Sequence, residues 1–491
     1  MELMIPVLPL LLAALYWVIP SRKLLHAANL AGSLLLLAMA VWITGKISAG
    51  GPLNHAWLGY SFYLDALSVL VLDTILTVGF IVGVYSVGYL DIELKEAKIN
   101  MRQLRLYYSL TYAFIFTMIL VVTTQNLGLM WIAIEATTLA SAFLVGFYNN
   151  KEAIEAAWKY IIICSVGIAF ALLGIVLIYY ASVTHIAESK FSLNWVYLWD
   201  HATLLQSSIM KIAFIFVLLG FGTKVGMAPM HTWLPDAHSQ APAPISALLS
   251  GVLLNSALYG IIRILALVNR SLGGNWYTSP LLLGIGILSM VTAAVFIATQ
   301  KDYKRLLAYS SIEHMGIITV GLGLYTPLAI FGALYHLLNH AFTKSLLFLA
   351  SGNVYLKYRT REIAKVKGII QTMPRTGWIF LLGLLAIAGM PPFSIFSSEL
   401  TIIMAGFASK HLLTAIAFVI LIVVIFAGIV AKMMEMFFGE RLKRLSPGDV
   451  NPLGLVVLGL TLVMMIIAGW VLPSRLKNLI EAAATIIGGG Q

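Results

Sequence analysis

The sequence has little that ionises and almost nothing that can be oxidised. Cysteine occurs once, at Cys164. One cysteine excludes an internal disulfide and any Cys-ligated iron–sulfur cluster or Cys-rich zinc site held by this chain alone, so electron chemistry must sit in a partner. Charged residues make up only 10% of the 491, while apolar residues make up 60%. A soluble chain carries about 25% charge and about 45–50% apolar residues, so a soluble enzyme is excluded. There is no phosphate loop, dinucleotide fingerprint, nucleophile elbow or His-Glu-x-x-His sequence. Linkers and low-complexity segments are missing as well, and residues 1–491 read as a single membrane domain.

What is there is apolar run after apolar run. At roughly 21 residues per crossing, the apolar content suffices for about 14 crossings and leaves no room for a soluble domain. Breaks at charge, Gly and Pro clusters predict fourteen spans near 4–19, 25–45, 63–90, 107–124, 126–148, 156–181, 209–229, 242–268, 279–299, 309–323, 328–351, 377–405, 411–437 and 453–473. In lipid such runs must be helices, because unsatisfied backbone groups are too costly there. The fold class is therefore all-α and polytopic. No basic stretch precedes the first run and Arg22 and Lys23 follow it, the pattern of a retained span rather than a cleaved signal peptide.

Lys and Arg total 31 against 20 Asp and Glu, a net charge of +11. Loops after odd-numbered spans hold twenty of the basic residues, among them Arg22, Lys98, Lys159, Lys304, Arg359, Arg361 and Arg441, whereas the opposite side has six. The positive-inside rule then puts the odd loops in the cytoplasm and both termini outside. The longest polar connection, 182–208, reads as an external loop.

A charge at the centre of a membrane helix costs at least ~2.5–3.5 kcal/mol on insertion scales, so each one needs a reason. Glu135 lies about ten residues into span 5, too deep for a short side chain to reach the interface, and Lys224 lies within span 7. Opposite signs at similar depth make them natural partners: motion of the carboxylate relative to the ammonium would load or release a proton. The plainer alternative is a static ion pair. Glu399 follows a Gly389-Met390-Pro391-Pro392 break in span 12, and Gly222, Gly226 and Pro229 flank Lys224 in the same manner. Two interrupted helices five spans apart, each with an ionisable residue, predict two inverted repeats, spans 4–8 (107–268) and spans 9–13 (279–437).

Span 11 carries His336, His340 and Lys344, four apart and hence on one helix face. Two histidines so spaced can bind a metal, but no carboxylate or Cys completes a site in that helix. A proton relay fits better, since neutral His both accepts and donates; His314, beside Glu313 at the predicted start of span 10, would extend it. The alternative is histidines bonded to backbone carbonyls. Asp65 and Asp73 in span 3 rank lower, Asp65 as a helix cap. His231, Asp236 and His238, in the Pro-rich connection after span 7, are candidates to line a water inlet.

With these residues in place, the chain resembles the antiporter-like membrane subunits shared by respiratory complex I, multisubunit cation/proton antiporters and membrane-bound hydrogenases. The resemblance runs over nearly the whole chain and is densest in Lys224-Val225-Gly226-Met227-Ala228-Pro229-Met230-His231-Thr232-Trp233-Leu234-Pro235-Asp236-Ala237-His238, in Lys304 to Ser311, in His340 to Phe348 and in Gly389 to Glu399. Ala157 to Ser165 and Gly251 to Asn255 are most similar to the hydrogenase-4 component F branch. By resemblance, Glu135 matches the family's span-5 glutamate, Lys224 its span-7 lysine, Glu399 its span-12 Lys or Glu, and His336, His340 and Lys344 its span-11 relay. Many relatives have a lysine where this sequence has Asn255, which can hold a water but carries no proton charge. Ser394-Ile395 replaces small residues common beside the span-12 break.

The resemblance implies a proton-translocating subunit of a membrane-bound nickel–iron hydrogenase-type redox complex in a bacterial or archaeal cell membrane. It implies no cofactor in this chain, a nickel–iron centre and iron–sulfur clusters in partner subunits, and neighbours that include other membrane subunits, a peripheral redox arm and lipids, with protons or sodium ions as cargo and no nucleic acid. Moving one charge against 100 mV takes ~2.3 kcal/mol, within reach of a modest redox drop. The alternatives are a subunit of a multisubunit cation/proton antiporter, a subunit of a complex I-like dehydrogenase, and a non-pumping scaffold.

Overall fold

The computed structural model describes residues 4–57, 60–186 and 190–488. Helices α1 (Met4–Val18) and α2 (Arg22–Gly50) lead through an antiparallel hairpin, β1 (Leu53–Trp57) with β2 (Tyr60–Leu64), into α3 (Ala66–Lys95). Then come α4 (Met101–Thr123), α5 (Leu127–Val145), α6 (Lys151–His185), the short α7 (Trp195–Asp200) and α8 (Ser207–Val225). A non-helical stretch and α9 (Trp233–Gln240) precede α10 (Ala243–Leu248), which runs through a π-helical turn, Leu249–Leu253, into α11 (Leu254–Leu272). The second half holds α12 (Thr278–Thr299), α13 (Tyr303–Leu324), α14 (Pro327–Tyr358), the one-turn α15 (Ile369–Thr372), α16 (Pro374–Ile387), α17 (Ser394–Ala408), α18 (Leu412–Phe438), α19 (Pro452–Trp470) and α20 (Ser474–Gly488).

Local chemistry fixes many helix starts. The side chains of Asp65, Asn100, Asn126, Asn150, Asp302, Thr326 and Asn451 each accept from a backbone N–H of the first turn, satisfying donors that lipid cannot. Among the described residues, ten helices are long and apolar enough to cross a membrane by length and composition; α13 and α14 are equally long but carry the polar residues of the interior. The bundle turns apolar residues outward, including Leu34, Phe143, Ile162, Val295, Ile420 and Val463, and keeps Lys224, His314, His336, His340 and Lys344 buried. This inverts the soluble pattern, as a lipid solvent requires.

Each of the fourteen predicted apolar runs holds helix, with one correction of placement. Glu313 and His314 lie ten residues inside α13, not at its start, because the helix already begins at Tyr303. The hairpin and α20 were not expected from the sequence. The hairpin is a departure from an all-α chain, tied down by a bridge from Phe62 to Thr124 at the end of α4. Helix α20 buries Leu479, Ile480, Ala483 and Ile487, and the Tyr325 hydroxyl donates to Ile487 O at 2.6 Å, so α20 folds back over the end of the bundle near the α13–α14 turn.

The loops after odd-numbered spans gather at one end. Arg105 reaches Pro20 O at 3.4 Å, Arg359 pairs with Glu96, Tyr303 N donates to Arg361 O at 3.1 Å, and Arg375 N donates to Asp449 at 3.2 Å.

Two chain breaks share a design. In Gly226-Met227-Ala228-Pro229 and in Gly389-Met390-Pro391-Pro392 the glycine has positive φ, +81° and +70°, and the last peptide bond is cis. At the centre, α10, the π-turn and α11 are buried along their whole length. A Cβ on Gly251 would stand 2.8 Å from Ser345 Oγ and 3.0 Å from Ala341 O, so the π-turn rests directly on the backbone of α14.

Candidate functional site

The first polar cluster is built by α5, α6 and α8. Lys224, in the last turn of α8, donates to Tyr160 OH at 2.6 Å and to Thr138 Oγ1 at 2.7 Å, with its ammonium 4.6 Å from the Tyr160 ring centroid. Thr138 in turn donates to Glu135 Oε2 at 3.2 Å, and Ser165 donates to Glu135 Oε1 at 2.6 Å. The direct Glu135–Lys224 pair expected from the sequence is thus corrected: the two share the Thr138 hydroxyl, and no ion pair joins them among the described residues. Glu135 is half-buried, at the edge of the outward face that carries Ile132 and Leu139, whereas Lys224 is fully enclosed. Tyr160 also exchanges a hydrogen bond with Ser141 at 2.7 Å.

The Trp233-Leu234-Pro235-Asp236-Ala237-His238 segment forms α9 and bridges outward from this cluster. Trp233 packs on Tyr160 with ring centroids 4.7 Å apart, and its indole N–H donates to Thr223 O at 2.8 Å. His238 lies 6.0 Å from Trp233 and 5.7 Å from Phe348 of α14. It is fully buried; its Nδ1 bonds Leu234 O at 2.8 Å and its Nε2 has no protein partner. The residues that follow, Ser239, Gln240 and Ala241, line a cavity of about 430 Å³ together with Glu93, Lys98, Lys304 and Arg361, at the end where the basic loops gather. Asp236 is held at the periphery by Lys159 at 3.2 Å and Arg305 at 2.5 Å. His231 sits among Phe296 and Tyr309, at 6.2 and 6.3 Å. Of the three candidate inlet residues, His238 alone adjoins both this cavity and the interior.

Asn255, on the first turn of α11, donates to Gly251 O at 2.9 Å and to Leu337 O of α14 at 3.4 Å, while its Oδ1 has no protein partner. His340 likewise has neither ring nitrogen bonded to protein. Buried polar atoms left bare are costly, and His238 Nε2, Asn255 Oδ1 and the His340 nitrogens mark the positions water can bridge.

The second cluster lies between α13, α14 and α17. The α14 face expected from the i, i+4 spacing points at α13: Lys344 donates to Leu307 O at 2.9 Å and to Ser310 Oγ, His340 stacks 5.5 Å from His314, and His336 Nε2 meets His314 Nδ1 at 2.8 Å. The far nitrogens are anchored too, His314 Nε2 on Ile387 O at 3.1 Å and His336 Nδ1 on Ser398 Oγ at 3.0 Å. Glu399, one residue on from Ser398, brings its carboxylate to the same place, so that one donor atom each from His314, His336 and Glu399 lies within 4.8 Å of the others. The carboxylate that α14 itself does not supply comes from α17.

Several polar residues escaped sequence reasoning. Thr138, Tyr160, Ser165 and Ser398 complete the two clusters; Thr138 and Ser141, at i+3 and i+6 from Glu135, carried a readable signal on one face of α5. Arg263 was passed over inside span 8. It is buried and bidentate to Asp65, at 2.8 and 2.6 Å, with Ser68 and Tyr259 also bonded to it. Asp65 does cap α3 through Ser68 N at 2.9 Å, but it is equally the counter-ion of Arg263. Asp73 accepts from Thr44 at 2.6 Å and touches neither cluster.

A family described as NADH:quinone oxidoreductase/Mrp antiporter, TM, matches residues 124–425, and one described as NADH-Ubiquinone oxidoreductase (complex I), chain 5 N-terminus, matches residues 52–97. The chain belongs to the family of antiporter-like membrane subunits of complex I and Mrp complexes. Over 431 residues, 87% of its length and 89% of the relative's, this antiporter-like subunit is 38% identical to the Hydrogenase-4 component F homolog of Methylacidiphilum infernorum (isolate V4). It superposes with a TM-score of 0.87 and 25% identity on a chain of the membrane-bound sulfane sulfur reductase, an archaeal respiratory membrane complex, covering 99% of its own length and 97% of the other. A chain of the Mrp complex from Dietzia sp. DQ12-45-1b gives the same TM-score at 20% identity and the same coverage, a likeness of fold.

Proposed function

We propose that this antiporter-like subunit translocates protons within a multisubunit membrane complex whose redox arm is of the nickel–iron hydrogenase type. The observation that carries the reading is a buried polar sequence from Glu135 through Thr138 and Lys224, past His238 and Asn255, to Lys344, His340, His336, His314 and Glu399. Hydroxyls and imidazoles, which accept and donate alike, alternate there with ionisable groups. The kinship with the Hydrogenase-4 component F homolog supports the hydrogenase type; the nickel–iron and iron–sulfur centres would lie in partner subunits.

In this reading fourteen spans cross the bilayer, both termini are outside, and the basic end with its cavity beside His238 is the cytoplasmic inlet. Residues 107–268 and 279–437 are inverted repeats, supported by the matching glycine-to-proline breaks of spans 7 and 12. Redox chemistry in the arm shifts the Glu135–Thr138–Lys224 triad, and charge passes through α14 toward Glu399. Asn255 serves as a water-holding step.

The test is native purification of the complex with partner and metal analysis, followed by proton release in proteoliposomes. Nickel, iron and hydrogenase-type subunits should co-purify, and Lys224→Ala should lower proton release at least about tenfold, in line with the loss of one acid–base group. Only other multi-span subunits without nickel or iron, with sodium-dependent transport, would move the assignment to a cation/proton antiporter. Unchanged redox turnover in Lys224→Ala, with no proton release in either form, would make the chain a scaffold.

A further inference from the structure

The two-histidine contact in the second cluster is electrically unusual. Ile387 O only accepts, so His314 Nε2 carries the proton of that hydrogen bond at 3.1 Å, and Nδ1 of the neutral ring bears a lone pair. On the other side, Ser398 donates its hydroxyl to Ile395 O at 2.8 Å and accepts from Asn339 Nδ2 at 3.2 Å. With its proton so used, Ser398 Oγ accepts from His336 Nδ1 at 3.0 Å, and His336 Nε2 also bears a lone pair. Two lone pairs then face each other across 2.8 Å. They repel unless a cation lies between them.

Glu399 supplies the matching negative charge. It is 4% exposed, belongs to the same group of donor atoms within 4.8 Å, and accepts no hydrogen bond from the protein among the described residues. Its room is made by Gly389, where a Cβ would stand 2.2 Å from Glu399 Oε2. A buried carboxylate without a donor is costly, and here it points at two imidazole lone pairs. Two neutral imidazoles whose outer nitrogens are each anchored on oxygen, with one carboxylate beside them, make the donor set of a three-ligand zinc site with an open fourth position.

We propose that His314, His336 and Glu399 form a binding site for a divalent transition-metal ion of the zinc type. Tetrahedral bonds of about 2.0–2.1 Å put ligand atoms roughly 3.3 Å apart, which asks the two nitrogens to separate slightly and the carboxylate to close in. The exposed turn Met390–Pro392 between α16 and α17 runs past Gly389 and so past the carboxylate, which gives the ion a short way in. A bound ion occupies both facing lone pairs and stops proton transfer between His314 and His336. This consequence, unlike the site, rests on the proton-translocation reading above.

The experiment is Zn²⁺ titration of the detergent-purified complex against a chromogenic chelator, with X-ray absorption at the zinc edge. One tight Zn²⁺ per chain is expected, with a shell of two imidazole nitrogens and carboxylate oxygen at about 2.0–2.1 Å. Affinity should fall at least about 100-fold in Glu399→Gln and His336→Asn. Ser398→Ala keeps all three ligands and removes only the anchor of His336, so about a 10–100-fold loss is expected there, and this holds the test open should a ligand variant fail to fold. Binding of equal strength in wild type and all three variants, or a shell without two imidazoles, means adventitious surface zinc and overturns the site. Tight, ligand-dependent binding in a complex that moves no protons would uphold the site and sink the transport reading instead.

Discussion

Lys224 and Glu135 meet through one hydroxyl: Thr138 Oγ1 accepts from the ammonium at 2.7 Å and donates to the carboxylate at 3.2 Å. The pair is therefore a relay of three groups, and the middle one can be removed without touching either charge. Thr138→Val, close in shape, should cut proton release by about tenfold or more, and Thr138→Ser should restore most of it. Release in proteoliposomes reads both, and equal rates in the two variants would argue for direct transfer between the charges. Leaving the two charged groups short of one partner should also cost about 1–3 kcal/mol.

Asn255 allows a sharper test of the centre. Its amide nitrogen is committed to two carbonyls, while Oδ1 faces no protein donor. Asn255→Leu fills the same space without an acceptor and should depress transport about tenfold at unchanged fold, as judged by melting temperature. Asn255→Asp should retain transport. If Asn255→Leu transports like wild type, the route bypasses α11.

Arg263 and Asp65 form a buried bidentate pair. Removing one partner of such a pair strands the other's charge and typically costs about 3–5 kcal/mol. Arg263→Leu should therefore lower the melting temperature sharply, and the double variant Arg263→Leu, Asp65→Asn should recover much of the loss. The double-variant cycle on the purified complex checks the coupling. The pair lies apart from both polar clusters, so any variant that folds should keep its proton release.

Gly389 combines a left-handed φ of +70° with a Cβ position 2.2 Å from Glu399 Oε2. Gly389→Ala should both destabilise the chain, by about 1–2 kcal/mol from the backbone alone, and impair transport by pushing the carboxylate aside. Gly45, with open space around its Cβ position, is the control: Gly45→Ala should leave transport unchanged and stability equal or slightly higher. Comparable losses at both positions would separate Glu399 from the function.

The helical runs were legible because lipid allows so few solutions: long apolar segments ended by charge or capping residues can only be helices. Glu135, Lys224 and the His336-His340-Lys344 face stood out for the same reason, as polar groups where none is cheap. The rest depends on distance in the fold rather than spacing in the chain. Asp65 and Arg263 are 198 residues apart, and a lone arginine near the end of an apolar run reads as an interface residue. His314, His336 and Glu399 come from three helices, and no pattern within α14 announces the carboxylate. The hairpin Leu53–Trp57 with Tyr60–Leu64 is too short to rise above the helical spans around it, and α20, amphipathic rather than apolar, follows the last run without resembling one.

The break between α16 and α17 also does something for a neighbouring helix. In an unbroken helix Ile387 O would be claimed by the N–H four residues on, but position 391 is proline and has none. The orphaned carbonyl is taken by His314 Nε2, and that bond decides which nitrogen of His314 is turned toward His336. The first break follows the same economy, with Thr223 O, in the last turn before Gly226, accepting the indole N–H of Trp233. At each break a main-chain oxygen that the helix gives up becomes a fixed peg for an aromatic ring, so Pro391 acts on the chemistry of the site as a tautomer selector from a helix away.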